Sequence, residues 1–253
     1  MKQTAININS ITTTSTMITS LPFDIAIKIA LSLQVLDICA LGSCSRFFRD
    51  ICASDCLWEP LAKERWPSLS SGSSTMVRIK GWRVIYVRLH REMAYKAMVV
   101  VESVEHSSSS RDGSLEVGHY HKAIQDLTSM NLSFKDIQFF LFNPNLNVLL
   151  HLVGLHYCVT SLKVPAGDIM EALVSCKISE RRVCVKWWKI ATWFFGFHMR
   201  EEPHSRRVRL ADFMMDKGED ILRILEKGAV HEVFRVEICG LNATTTERSC
   251  RSS

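Results

Sequence analysis

The stretch from Leu21 to Trp66 constrains this chain most, because its apolar positions keep helical spacing yet are cut into short pieces by capping residues and prolines. Ser20 or the turn after it opens a first helix, with Pro22 where a first turn tolerates a missing N–H and Asp24 at the positive end of the helix dipole. Leu21, Ile25 and Ile29 recur every fourth residue and Leu33 extends their stripe. Asp37 reads as the N-cap of a second piece carrying Ile38, Leu41 and Cys44 or Ser45, and Ser45 can cap a third with the bulk of Phe47, Phe48 and Ile51. Asp55 precedes Leu57, Trp58 and Leu61, and Trp66-Pro67 closes the run. Three or four short helices bury only a fraction of their apolar surface, and such a unit ordinarily needs a partner or a neighbouring domain. The physics points to an interaction module without naming what it meets.

The 253 residues allow one or two domains, and a 47% hydrophobic content is enough for a real core. The expected organisation is a disordered tail over 1–19, the short-helix unit over 20–67, a Ser-rich linker over 68–80, a larger domain over 81–240 and a second tail over 241–253. Within the larger domain, helical pattern spans Gly81–Val104, with Trp82, Ile85, Leu89, Met93 and Lys96 on one side. A loop over His106–Gly113 separates it from further helices at Leu115–Thr128, Ser133–Leu141, Leu146–Ser161 and Pro165–Cys176. Ser133 and Asp136 have capping-box spacing, and Pro165 suits a helix start.

After Ser179 the pattern changes. Arg182–Lys189 is β-rich, Thr192–Arg200 is aromatic, and Val208 and Leu210 follow a Pro-His-Ser sequence that reads as a turn. A helix at Asp216–Lys227 stops at Gly228, and Val230–Ile238 alternates, with Glu232 interrupting its apolar parity. The expected fold is α+β and predominantly helical: an N-terminal unit of three to four helices, a helical middle, and a small C-terminal antiparallel sheet with one packed helix.

Charge and cysteine content bound the setting. A net charge of +5 permits an acidic partner but is not the concentrated stripe that nucleic acid asks for, so nucleic acid is disfavoured. No charged start, apolar block and cleavage site precede the 9 cysteines, and the expectation is an intracellular protein of nucleus or cytoplasm whose thiols are mostly small buried groups. No membrane span is expected, because the most apolar region, Phe139–Val159, is broken by Asn143, Pro144, Asn145, Asn147, His151 and His156.

The order Leu21-Pro22, Asp24, Ile29, Leu33, then Leu36-Asp37-Ile38, then Ser43-Cys44-Ser45-Arg46-Phe47-Phe48-Arg49, then Leu57-Trp58 resembles an F-box. Trp66-Pro67 and the downstream phrases Leu-Gly-Leu-His-Tyr-Cys and Lys-Ile-Ser-Glu-Arg-Arg-Val are similar to a plant subgroup of F-box proteins. Phe48 stands where many members have Trp, and Cys44 where many have Val; both remain apolar. Pro60 bends the last helix if that helix begins well before it. The resemblance implies a non-enzymatic adaptor that binds a Skp-type subunit and, through it, a cullin, and recruits an unknown protein substrate for ubiquitination. It implies an adaptor-binding set of Leu21, Pro22, Ile25, Ile29, Leu36, Phe47, Phe48 and Trp58, some of which must instead hold the helices together. No cofactor is implied.

Other chemistry is weaker. Cys39, Cys44, Cys52 and Cys56 crowd one region, but their irregular spacing without histidine is not that of a zinc site. His151, His156 and Cys158 lack a third ordered group, and His119 and His121 open a helix, so no catalytic or metal residue is assigned. Arg181 to Arg209 mixes cations with Trp187 and Trp188. Arg182, Lys186, Trp188 and Arg207 are the candidate substrate-binding residues, able to grip an acidic peptide or a single strand. The alternative is a sheet with its tryptophans inside and its cations in water. Rival functions are a basic module for nucleic acid or an acidic ligand, an enzyme using Cys158 or the histidines, and an F-box scaffold that degrades nothing.

Overall fold

The computed structural model describes residues 21–33, 35–70, 81–108, 113–189, 193–194, 197–198, 203–230 and 234–241. The expected N-terminal tail, the C-terminal tail apart from Leu241, most of the linker and Glu232 lie outside them; Leu241 is the last residue of a strand rather than tail. The chain divides into two compact units, Met1–Arg91 and Glu92–Ser253.

The first unit holds α1 (Phe23–Leu31), α2 (Val35–Cys44), α3 (Arg46–Ala53), α4 (Asp55–Arg65) and a 3-10 turn at Pro67–Ser70. Its caps follow local chemistry. Ser45 accepts from the Phe48 N–H at 3.2 Å and Ser54 from the Cys56 N–H at 3.3 Å. Each satisfies a donor that the first turn leaves unpaired. Asp37 is not a cap: α2 already begins at Val35, and Asp37 serves in its first turn. Pro60 sits inside α4, past the first turn, so the Cys56 carbonyl lacks its helical donor.

The core of this unit gathers Ala26, Ala30, Ile38, Ile51, Leu57, Trp58 and Ala62. Tyr86 joins them from α5 (Trp82–Ser108), a helix that begins in the first unit and ends in the second. Arg65 is buried and stacks over Trp66 at 4.7 Å and Tyr86 at 5.6 Å, donating to the Tyr86 hydroxyl at 3.0 Å. Desolvation strengthens such cation–aromatic contacts.

The second unit adds α6 (Val117–Met130), α7 (Phe134–Phe140), α8 (Val148–Thr160), α9 (Ala166–Ser175) and α10 (Asp216–Val230). Ser133 and Asp136 form the expected capping box on α7. Every residue from Val148 to Cys158 is buried, so α8 is the central helix of this unit, apolar all round apart from two histidines. Its strands are β1 (Ser114–Glu116), β2 (Arg182–Lys189), β3 (Trp193–Phe194), β4 (Phe197–His198), β5 (Pro203–Arg209) and β6 (Phe234–Leu241). Four make one antiparallel sheet in the order β1-β6-β2-β5, while β3 and β4 form a separate pair.

Register assigns the faces. Leu115 lies opposite Ile238, Ile238 opposite Val185, and Val183 opposite Val208, and all five face the core. The mostly helical α+β class is as expected, with local differences. Leu115 belongs to a strand, not a helix, because a three-residue extended segment pairs with β6 before α6 begins. Pro-His-Ser is the start of β5, not a turn: Pro203 occupies the first residue of an edge strand, where a missing N–H breaks no ladder. Helix α5 runs on to Ser108, into the expected loop, and α10 runs to Val230 through Gly228.

Candidate functional site

In α1 the buried residues are Ala26 and Ala30, while Phe23, Ile25 and Ile29 remain 45%, 43% and 45% exposed. Two alanines four apart make one smooth strip, which lets α1 approach α3 and α4 closely. The large side chains on either flank of that strip are left outside. Single exposed aliphatics need no explanation, but Ile25 and Ile29, four apart, share one exposed apolar strip beside the alanines, while Phe23 is exposed on the alanines' other flank. Leu21 is half-buried beside the isoleucine strip and Pro22, the N-cap of α1, is exposed.

Phe47 and Phe48 are half-buried on α3, edge to face at 5.4 Å. Leu36 lies in the first turn of α2, with its side chain outside the described part. Trp58 is different. It is 3% exposed, and its Nε1–H donates to the Cys52 carbonyl at 2.7 Å. Trp58 stands inside the unit, where it supports the outer residues from behind. The sequence reading passed over Phe23; a large side chain next to the Leu-Pro start was the available signal.

Between α2, α3 and α4 runs a cleft of about 400 Å³, walled by Ile38, Gly42, Cys52 and Trp58 and rimmed by Arg49 and Arg83. Burial raises the Cys52 thiol above its ordinary range; the neighbouring Cys39 adds to this and the Arg83 charge opposes it. Cys39, Cys44 and Cys56 are exposed, and the described residues contain no His/Cys/Asp/Glu group arranged to hold a metal.

In the second unit, β2 separates its residues by parity. Val183 and Val185 enter the core and Trp187 packs against it. Arg182, Lys186 and Trp188 have the opposite parity, and Arg207 joins them because it lies opposite Cys184. All four candidate residues therefore share the outer face of the sheet. Arg182 and Arg207 are exposed; Lys186 and Trp188 are partly so. The cations are not alone there, since Glu237 lies opposite Lys186 and Glu116 opposite Glu237. Positive charge is thus concentrated on the β2–β5 side. Arg209 is held by Asp212 at 2.8 Å and Glu180 at 3.1 Å, which raise its already high pKa further.

The histidines of α8 are structural. The His151 Nε2–H donates to the Asn143 carbonyl at 2.9 Å, which leaves Nδ1 to accept from Arg181 at 3.3 Å. Arg181 also donates to the carbonyls of Leu146 at 2.6 Å and Pro144 at 3.1 Å, fastening the turn before α8. The Tyr120 hydroxyl donates to His156 Nδ1 at 2.8 Å. Burial lowers both histidines to about 4, with the Arg181 charge contributing at His151 and His121 at His156. Burial pushes the Cys158 thiol up to about 12, the reverse of what a nucleophilic cysteine needs.

Residues 18–60 match the family model of the F-box domain. No curated protein and no solved structure matches the chain. The match supports, in general terms, a Skp-binding role of the kind F-box chains have in cullin ligases. Among the described residues no helix is long and apolar enough to cross a membrane.

Proposed function

We propose that this F-box protein is a non-catalytic, substrate-recruiting subunit of a Skp–cullin–F-box ubiquitin ligase: the first unit holds the Skp-type adaptor, and the second presents a target protein. The observation that carries this reading is α1, which matches the F-box and turns Phe23, Ile25 and Ile29 outward while burying only its alanines. Leu21, Pro22, Leu36, Phe47 and Phe48 complete the adaptor surface around that helix. Aromatic and aliphatic anchors of this kind supply most of the binding energy of an interface. The chain contributes no catalytic residue to ubiquitin transfer. Its contribution is proximity, which turns a bimolecular encounter into an effectively intramolecular one.

Target binding falls to the outer face of the sheet, with Arg182, Lys186 and Arg207 for acidic groups and Trp188 for an apolar or aromatic one. The concentration of cations on the β2–β5 side supports this assignment, since complementary charge steers encounters and suppresses wrong partners.

The test is capture of a purified Skp-type adaptor by the full chain, wild type against Ile25→Asp/Ile29→Asp. Both positions are exposed, so helical content should be unchanged while capture is lost. A folded wild-type chain that captures no adaptor overturns the ligase reading.

A further inference from the structure

Cys184 and Cys239 lie directly opposite each other where β2 pairs with β6, and both are thiols. The register fixes their direction as well as their proximity. Val183 and Val185, on either side of Cys184, enter the core, and so does Ile238 beside Cys239. Alternation then puts both sulfurs on the outer face of the sheet, one strand apart. The two strands are the inner pair of the order β1-β6-β2-β5, so each is held by a neighbour on both sides.

Opposed residues of an antiparallel pair stand about 4.5–5.5 Å apart at Cα, which lies within the roughly 4.4–6.8 Å that a disulfide spans. Their Cβ atoms, also about 4.5–5.5 Å apart, must draw in toward the ~3.8 Å of a relaxed bridge. A bond between them therefore needs no change of register, but it forms under strain. Strain makes a disulfide easier to reduce, which suits a reversible bond better than a permanent one. The two thiols also differ in access: Cys184 is 1% exposed, whereas Cys239 is partly exposed. A small oxidant meets Cys239 first, and Cys184 stands behind it as the resolving group. Hydrogen bonds that either thiol makes to other groups are weak beside the covalent bond and do not stand in its way.

We propose that Cys184 and Cys239 form a reversible, peroxide-driven disulfide that fastens β6 to β2. The Cys239 thiolate attacks one oxygen of hydrogen peroxide and the O–O bond breaks. Cys239 becomes a sulfenic acid, and the departing hydroxide takes up the proton that Cys239 released, leaving as water. The Cys184 sulfur then attacks the Cys239 sulfur; the S–S bond forms, the S–O bond breaks, and the hydroxyl leaves with the Cys184 proton as a second water. Two thiols and one peroxide thus give one disulfide and two waters, the thiols losing the two electrons that the peroxide gains. A dithiol reductant reverses the bond by exchange and is itself oxidised to a disulfide. The loop so closed includes β5 and α10, which the crosslink ties to the middle of the sheet. None of this chemistry depends on the ligase reading.

The experiment exposes the reduced full chain to hydrogen peroxide, blocks the remaining thiols with N-ethylmaleimide, and maps an unreduced digest by mass spectrometry. The expected product is a joined pair of peptides carrying Cys184 and Cys239, separated again by dithiothreitol. Cys239→Ser should abolish it, and in Cys184→Ser dimedone should trap Cys239 as its sulfenic acid. Amide protection of Val183 and Val185 shows whether the sheet is formed in each variant, and the wild-type crosslink decides the matter even where a variant fails to fold. The crosslinked chain should melt about 5 °C or more above its reduced form. A crosslink that forms in urea but not in the folded chain overturns the proposal. So does peroxide treatment that oxidises the exposed Cys39, Cys44 and Cys56 while leaving Cys184 and Cys239 unjoined. A melting midpoint that does not rise overturns the fastening of β6.

Discussion

The Asp55 carboxylate accepts a hydrogen bond from the Trp82 backbone N–H at 2.8 Å, joining the first turn of α4 to the first residue of α5. It caps one helix from the side chain of another, and Gly81, with φ +76, makes the approach possible: a Cβ there would stand 3.3 Å from Asp55 Oδ1. Asp55→Ala should lower stability by about 1 kcal/mol, as loss of a cap does. Gly81→Ala should cost a similar ~1 kcal/mol from left-handed strain. Denaturant midpoints of the two single variants and the double variant check this, with less than additive loss in the double, because both act on one contact.

Trp58→Phe keeps most of the buried volume but removes the donor to the Cys52 carbonyl. Stability should fall by ~1–3 kcal/mol. The fraction that remains folded should capture adaptor normally, because Trp58 faces inward. Loss of capture at unchanged stability would show that the indole acts at the surface.

Gly154 in α8 lies against α7 and the turn after it. An added Cβ would meet Ile137 Cγ2 at 3.1 Å, Phe142 Cε1 at 3.2 Å and Leu141 Cβ at 3.3 Å. Gly154→Leu should therefore destabilise the second unit by ~1–3 kcal/mol or more through overpacking, despite its better helix propensity. Gly118→Leu, at an exposed position of α6 with nothing within 4 Å of its Cβ, is the control and should be neutral or stabilising. Thermal unfolding of the two variants distinguishes packing from propensity.

His151 and His156 are buried and neutral in the fold, with pKa lowered to about 4. The unfolded chain takes up their protons near the ordinary histidine value of about 6.5, so it gains ground as pH falls. The stability these sites permit is fully present above about pH 6.5 and is lost progressively down to about pH 4, by up to ~3 kcal/mol for each histidine. Urea unfolding at pH 7 and pH 4.5 should show the drop. Replacing His156 with Gln should reduce it by nearly half.

Much of this architecture was legible. Helical spacing placed the short helices of the first unit, and the β-rich run at Arg182–Lys189 is a strand with those bounds. What the sequence concealed has identifiable causes. Periodicity located the apolar stripe of Leu21, Ile25 and Ile29 but could not say which strip packs inward. Ala26 and Ala30 won because small side chains allow close helix contact, a tertiary reason invisible to hydrophobicity alone. Leu115 is a strand only because β6, far along the chain, pairs with it. Pro203 read as a turn because proline's positional meaning depends on whether the strand is an edge, which is a property of the whole sheet. Trp187 and Trp188 face opposite ways, so the rival expectations of buried tryptophans and an aromatic, basic surface each describe one of them.

The outward isoleucines of α1 also bear on how long the chain survives. A ligand that binds only the folded form adds stability in proportion to the logarithm of its concentration, about 2.7 kcal/mol at one hundred times Kd. If the proposed adaptor surface includes Ile25 and Ile29, which are exposed in the free chain, the persistence of this protein is tied to adaptor supply. Unfolding midpoints should climb as adaptor is titrated in, and turnover should quicken wherever adaptor runs short, so that receptor and adaptor are stocked in step without any dedicated controller.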